Sequence, residues 1–133
     1  MVRVLTLELG GEAVAYPYAV LSDVNVVNDV VGGHGVVVFW TGGTASALDT
    51  STISEGRDVG AAIAYSAEAG GHVLTFAFSD GIFRDRETGS SWDVLGRAVS
   101  GSLEGIKLVE LPAINHFWFS WAAFKPETRI FQP

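Results

Sequence analysis

The sequence predicts a mainly β single domain. It is an antiparallel, hairpin-rich sheet, curled or barrel-like, with one principal C-terminal helix. Three observations predict it. The Gly10-Gly11, Gly32-Gly33 and Gly70-Gly71 pairs each separate two apolar stretches rich in β-branched or aromatic residues. Glycine reaches the positive φ of a tight hairpin without steric cost. The run Val36-Val37-Val38-Phe39-Trp40 is apolar on both faces, as a central strand covered twice would be. Only one stretch, about Ile114 to Phe124, carries a clear helical period.

Taken in order, Leu5, Leu7 and Leu9 alternate with Thr6 and Glu8, and Gly10-Gly11 turns the chain into Glu12 to Tyr16. Pro17 to Asp23 reads as a short helix or turn. Val24 to Val31 turns at Gly32 to Gly35 and returns as Val36 to Trp40. Ala61 to Ala67 turns near Gly70 and returns as Val73 to Phe78, with Leu74, Phe76 and Phe78 on one face. Asp80-Gly81 is a further tight turn, leading into Ile82 to Asp85. Near the end, Asn115 suits an N-cap, and Ile114, Phe117, Trp118, Trp121 and Phe124 fall on one helical side. Lys125 suits the last turn and Pro126 stops it. No Pro-rich or Ser-rich linker divides the 133 residues, so residues 1–133 read as one domain.

Composition narrows the function. The chain is 48% hydrophobic and 17% charged, which fits a packed globular domain. Fifteen acidic residues against eight basic ones leave a formal charge of −7, and a polyanion surface needs clustered Lys and Arg, so no nucleic-acid partner is expected. Cysteine is absent, which excludes disulfides, Cys-ligated zinc, iron–sulfur clusters and thiol catalysis. No apolar run approaches the ~18 residues of a membrane helix, and Met1 to Glu12 alternates like a strand rather than a leader. A cytoplasmic protein without membrane contact is the expectation. His34, His72 and His116 lack metal-ligand spacing and read as solvated turn or helix-end residues, so neither metal nor other cofactor is expected.

Chemistry-bearing residues are few. Thr41-Gly42-Gly43-Thr44 follows the central strand and has the composition of a backbone anion nest, but no Lys makes it a phosphate loop. A plain tight turn explains it as well. Ser46 stands in no Gly-x-Ser-x-Gly elbow. The polar stretch from Arg84 to Trp92 reads as a solvated hairpin edge, and Asp58 or Asp85 serves as a general base only if burial raises its pKa.

Several phrases in order resemble the domain of unknown function 3179 family. They are Ala13-Val14-Ala15-Tyr16-Pro17, Val27-Asn28-Asp29, Asp85-Arg86-Glu87-Thr88-Gly89-Ser90-Ser91-Trp92, and Leu95-Gly96-Arg97-Ala98-Val99-Ser100-Gly101. Leu111-Pro112, Trp118 to Trp121 and Lys125-Pro126-Glu127-Thr128 complete the likeness. Many members carry a Cys-Pro-Leu-Cys-Gly-type segment after the central strand; here that place, Phe39 to Asp49, holds no sulfur. The chain therefore resembles a cysteine-free branch. The resemblance implies a place of interest after Trp40 and no activity.

Three function classes remain. The favoured one is a β domain binding a small polar or anionic molecule. Its ligand-binding residues would be Trp40, Gly42, Gly43, Thr44, Ser46, Asp49, Arg57, Asp58, Asp85, Trp92 and Arg97. Aromatic floors with a few convergent polar groups are what such sites require. The alternatives are an enzyme using Asp49, Asp58 or Asp85 as acid or base beside an Arg, and a purely structural or interaction domain.

Overall fold

The computed structural model describes residues 3–41, 61–117, 121, 123, 125 and 128–131. Its elements are β1 (Arg3–Leu9), β2 (Glu12–Pro17), α1 (Tyr18–Val24), β3 (Val26–Val31), β4 (His34–Thr41), β5 (Ala61–Ser66), β6 (Glu68–Ala69), β7 (His72–Val73), β8 (Phe76–Ser79), β9 (Ile82–Asp85), β10 (Ser91–Trp92), β11 (Ala98–Ser100), β12 (Ile114–Phe117) and β13 (Arg129–Ile130). The protein is mainly β, as the sequence predicts. Among the described residues the sheets are open, ordered β12-β1-β2-β13, β3-β4-β5 and β11-β10-β9-β8, with β6-β7 a separate ribbon. No barrel closes among them.

Hairpin chemistry sets the local structure. Gly10-Gly11, Gly32-Gly33 and Gly70-Gly71 hold positive φ at both residues, and so does Asp80-Gly81. That is the two-residue turn whose twist matches its strands. The first two turns also interlock. A Cβ on Gly32 would stand 2.1 Å from the Leu9 carbonyl oxygen, and one on Gly10 would stand 2.7 Å from the Gly32 carbonyl oxygen.

The β3-β4-β5 sheet lies between two cores. Val36, Val38 and Trp40 face one, with Leu5, Leu7, Val14, Tyr16 and Leu21. Val37 and Phe39 face the other, with Tyr65, Phe76, Phe83, Trp92 and Leu108. The period-2 alternation of β4 therefore feeds both, which is why its sequence shows no polar face. Phe39 is the hub of the second core: its ring stacks on Phe83 at 4.3 Å and meets Phe76 at 5.3 Å and Tyr65 at 5.5 Å.

Two expectations need correction. Ile114–Phe117 is strand, registering antiparallel with Thr6–Arg3 of β1; of the rest of the expected helix only Trp121 and Ala123 are described, both with helical backbone, and Trp118 and Phe124 lie outside the described residues. The helical spacing lost because β1 needs a backbone partner on its open edge, and a ladder satisfies groups a helix would leave bare. The continuous helix among the described residues is α1, where the sequence expected a short helix or turn. The third Gly-Gly hairpin is also smaller than expected. β4 takes β5 as its partner, so only Glu68-Ala69 and His72-Val73 flank Gly70-Gly71, and β8 pairs with β9 instead.

Among the described residues no helix is long and apolar enough to cross a membrane.

Candidate functional site

Of the residues expected to share one pocket, the two described tryptophans stand in different cores. Trp40, near the end of β4, packs in the first core, and its backbone N–H donates to the Asn25 carbonyl at 2.8 Å. Trp92, on β10, is buried in the second core. The central sheet stands between them. Arg97 is exposed, its Nε donating to Asp93 at 3.1 Å. Gly42, Gly43, Thr44, Ser46, Asp49, Arg57 and Asp58 lie outside the described residues.

Asp85 is the most heavily coordinated carboxylate described. It ends β9 at 1% exposure, where the chain must turn before β10. Its oxygens accept from the Trp92 indole N–H at 2.8 Å, the Thr88 backbone N–H at 2.6 Å, the Thr88 hydroxyl at 2.8 Å and the Gly89 N–H at 3.2 Å. The Thr88 hydroxyl also lies 2.7 Å from Ser90 Oγ, which accepts the Leu103 N–H at 3.0 Å. Burial pushes the Asp85 carboxyl up, but the bonds from Trp92, Thr88 and Gly89 outweigh it and hold the group below its ordinary value. A general base at neutral pH needs the opposite shift. Asp85 braces the 85–92 turn from inside, where the sequence suggested a solvated edge.

A second set of groups gathers at the other end of the central hairpin. The Arg3 guanidinium lies 5.0 Å over the Tyr18 ring, and Tyr18 meets Trp40 edge-on at 4.8 Å. Both Arg3 and Tyr18 are half-buried. Burial pushes the Tyr18 phenol up against the pull of Arg3, so the ring stays neutral at pH 7. The αL conformation of Asn25, φ 67°, ends α1 and starts β3 beside Trp40. Short polar side chains tolerate that region best. This arrangement stacks a cation on an aromatic pair beside the end of β4. Sequence reading found Trp40 but missed Arg3 and Tyr18. Arg3 precedes its ring by fifteen residues and meets it only because β1 and β2 are paired.

Arg129 forms a third cluster, also unread in the sequence. Its Nε donates to Glu12 at 2.6 Å, and its Nη2 donates to Asp29 at 3.1 Å and to the Val30 carbonyl at 3.3 Å. Glu12 accepts the Gly32 N–H at 2.9 Å through its other oxygen, and Asp29 accepts the Tyr16 hydroxyl at 2.9 Å. Burial, then the Asp29 carboxylate, pushes the Tyr16 phenol far up. The Gly32 N–H and Arg129 hold Glu12 below its ordinary value. Its stabilising contacts are therefore complete above the ordinary value of 4.5 and are lost as pH falls through the lower folded value. Arg129→Met is expected to lower the melting temperature by about 3–5 °C at pH 7, and by less at pH 3 or in 1 M salt. Equal losses under all three conditions would mean that only packing was removed.

No group of three or more His, Asp or Glu side chains suited to a metal ion comes together among the described residues. His34 and His72 are exposed at hairpin ends.

The model of one protein family, described as protein of unknown function DUF3179, matches residues 1–128. No curated protein and no solved structure matches the chain. The phrases that carry the resemblance fall on polar ties. Asn28 donates to the Phe76 carbonyl and accepts its N–H, both at 2.8 Å, joining β3 to β8. Asp29 holds Arg129 and Tyr16, Asp85 holds Trp92, and the Trp121 indole donates to the Thr128 hydroxyl at 2.7 Å.

Proposed function

We propose that this chain, which belongs to the DUF3179 family of proteins of unknown function, binds a small polar or anionic molecule beside the end of β4. The observation that carries the reading is the Arg3–Tyr18–Trp40 stack. A guanidinium laid on a ring points its N–H groups sideways, in the plane where a carboxylate or phosphate is met two-pronged. The aromatic pair supplies the apolar floor that small-ligand sites use for orientation. Gly42, Gly43, Thr44, Ser46, Asp49, Arg57 and Asp58 are the groups from the following chain assigned to the ligand in this reading, with Arg57 as second cation. Trp92 and Asp85 are not part of it, because they serve the other core. A small molecule is favoured over nucleic acid by the formal charge of −7, and cytoplasmic residence belongs to the same proposal.

A thermal-shift panel of small carboxylates, phosphates and sugars tests the reading. A ligand at ten times its Kd stabilises the native state by about 1.4 kcal/mol, a rise of roughly 4–6 °C for a domain of this size. Arg3→Gln and Arg57→Ala are expected to abolish the rise. No rise with any compound, or a rise both variants retain, overturns the proposal.

The second reading is a structural or interaction domain, favoured by Asp85, whose donors leave it no acid–base task. An enzyme would have to use Asp49 or Asp58.

A further inference from the structure

We propose that residues 128–131 are a releasable strap. In the native state they close one edge of β2. They open as a unit when the Arg129 ion pairs part, while the rest of the fold stays formed.

The strap touches both hairpins of the first core. Strand β13 runs parallel to β2, with Arg129 beside Val14 and Ile130 beside Ala15. The Phe131 N–H donates to the Ala15 carbonyl at 2.9 Å, and its ring meets the Tyr16 ring at 5.5 Å. Arg129 reaches Glu12 at the first hairpin's tip, and Asp29 and the Val30 carbonyl on β3 of the second. The two carboxylates facing the guanidinium have partners of their own. Glu12 also accepts the Gly32 N–H, and Asp29 accepts the Tyr16 hydroxyl, so both stay with the hairpins when the strap leaves. At its start, the buried Thr128 hydroxyl accepts the Trp121 indole N–H and donates to the Lys125 carbonyl, both at 2.7 Å. That pair of bonds fixes where the strap begins.

What holds the strap differs from what holds the hairpins. β1 with β2 and β3 with β4 pair along their whole lengths through tight turns. β13 offers only Arg129 and Ile130 to its neighbour, and Arg129 finds Glu12 across 117 positions of sequence. Little apolar surface is gained: Ile130 is 44% exposed, and Phe131 is half-buried at the margin of the first core. The Arg129 and Glu12 side chains are 39% and 37% exposed, and ion pairs in contact with water hold weakly. Segments with few buried apolar contacts and water-accessible bonds open at lower free energy than the whole fold. Beneath the strap, Val14, Ala15 and Tyr16 are fully buried. Its release bares their flank and an unpaired backbone edge, the kind that pairs with other strands. The strap therefore decides whether that edge of β2 is closed. It lies at the Glu12–Gly32 end of the hairpins, apart from the Arg3–Tyr18–Trp40 stack, so either proposal can fail alone.

The experiment is amide hydrogen exchange followed by NMR, across a urea series below the unfolding transition. In wild type the Phe131 N–H is expected to be protected, yet to open at least about tenfold more readily than the amides of β4. Its opening should depend less steeply on urea, because less surface is exposed than in global unfolding. Arg129→Gln is expected to speed Phe131 exchange about fivefold and to leave the shallow urea dependence in place. The β4 amides should gain no more than the same factor, since strap opening is one step of the global transition. An unprotected Phe131 N–H in wild type overturns the proposal by showing no docked strap. The same opening free energy and urea dependence as β4 overturn it by showing that the segment opens only with the whole fold. Unchanged Phe131 exchange in Arg129→Gln overturns it by removing Arg129 as the hold.

Discussion

Asp85→Ala is expected to cost about 3–5 kcal/mol of folding stability. The carboxylate answers four donors, and the cavity left by alanine strands the buried indole N–H and the Thr88 backbone N–H, while the Gly89 N–H keeps the backbone carbonyl of residue 85 at 3.0 Å. The turn from Arg86 to Ser90 would lose its centre. Because Trp92 reaches Phe76 at 5.5 Å and Phe76 reaches Phe39 at 5.3 Å, the loss extends into the second core. Chemical denaturation at pH 7 measures it, and Trp92→Phe separates the indole bond from the rest at about 1–2 kcal/mol. The pH dependence has a definite sign. The folded carboxyl lies below its ordinary value of 3.8, so its contribution is whole above that value and drains as pH falls through the folded one. A variant as stable as wild type at pH 7 would show that water replaces the carboxylate at no cost.

Gly32→Ala is the other large effect, about 3–5 kcal/mol, because strain and collision add. The residue has φ 57°, where a side chain is disfavoured, and its Cβ would lie 2.1 Å from the Leu9 carbonyl oxygen. A backbone atom cannot swing aside as a long side chain does. Gly33→Ala is the internal control: φ is 84° but nothing lies within 4 Å of the added Cβ. It should lose only the conformational part, about 1–2 kcal/mol. The difference between the two measures the interlock of the first and second hairpins. Equal losses would mean that the turns separate to admit the methyl group.

The two predictions bear on function through the scaffold. Gly32 and Glu12 bring the first hairpin against the second; the first hairpin and α1 carry Arg3 and Tyr18, and the second carries Trp40. A loosened interlock should therefore weaken ligand stabilisation at the Arg3–Tyr18–Trp40 stack. Loss of Asp85 acts first on the other core.

Much of this protein was determined by its sequence alone, because hairpin turns and strand alternation are local. Two adjacent residues at positive φ name their own turn, as Gly10-Gly11, Gly32-Gly33 and Asp80-Gly81 do. The apolar run Val36 to Trp40 declared a strand buried on both faces before any partner was known. Ile114 to Phe117 was misread because a short segment with apolar residues at mixed spacing suits either structure, and only the open edge of β1 chose strand. The same limit governs the candidate sites. Trp40 and Trp92 are close in chemistry yet separated by the central sheet, since alternation along β4 assigns Trp40 to one face while Phe39 joins Trp92 on the other. Arg129 finds Glu12 and Asp29 across more than ninety positions only after β13 pairs with β2. Charge and hydrogen-bond partners depend on which backbones lie side by side, and that is a property of the tertiary fold. Asp85 shows it most directly: among its charged neighbours in sequence it reads as a solvated edge, and the packing of Trp92 and the 85–92 turn makes it the most enclosed carboxylate described.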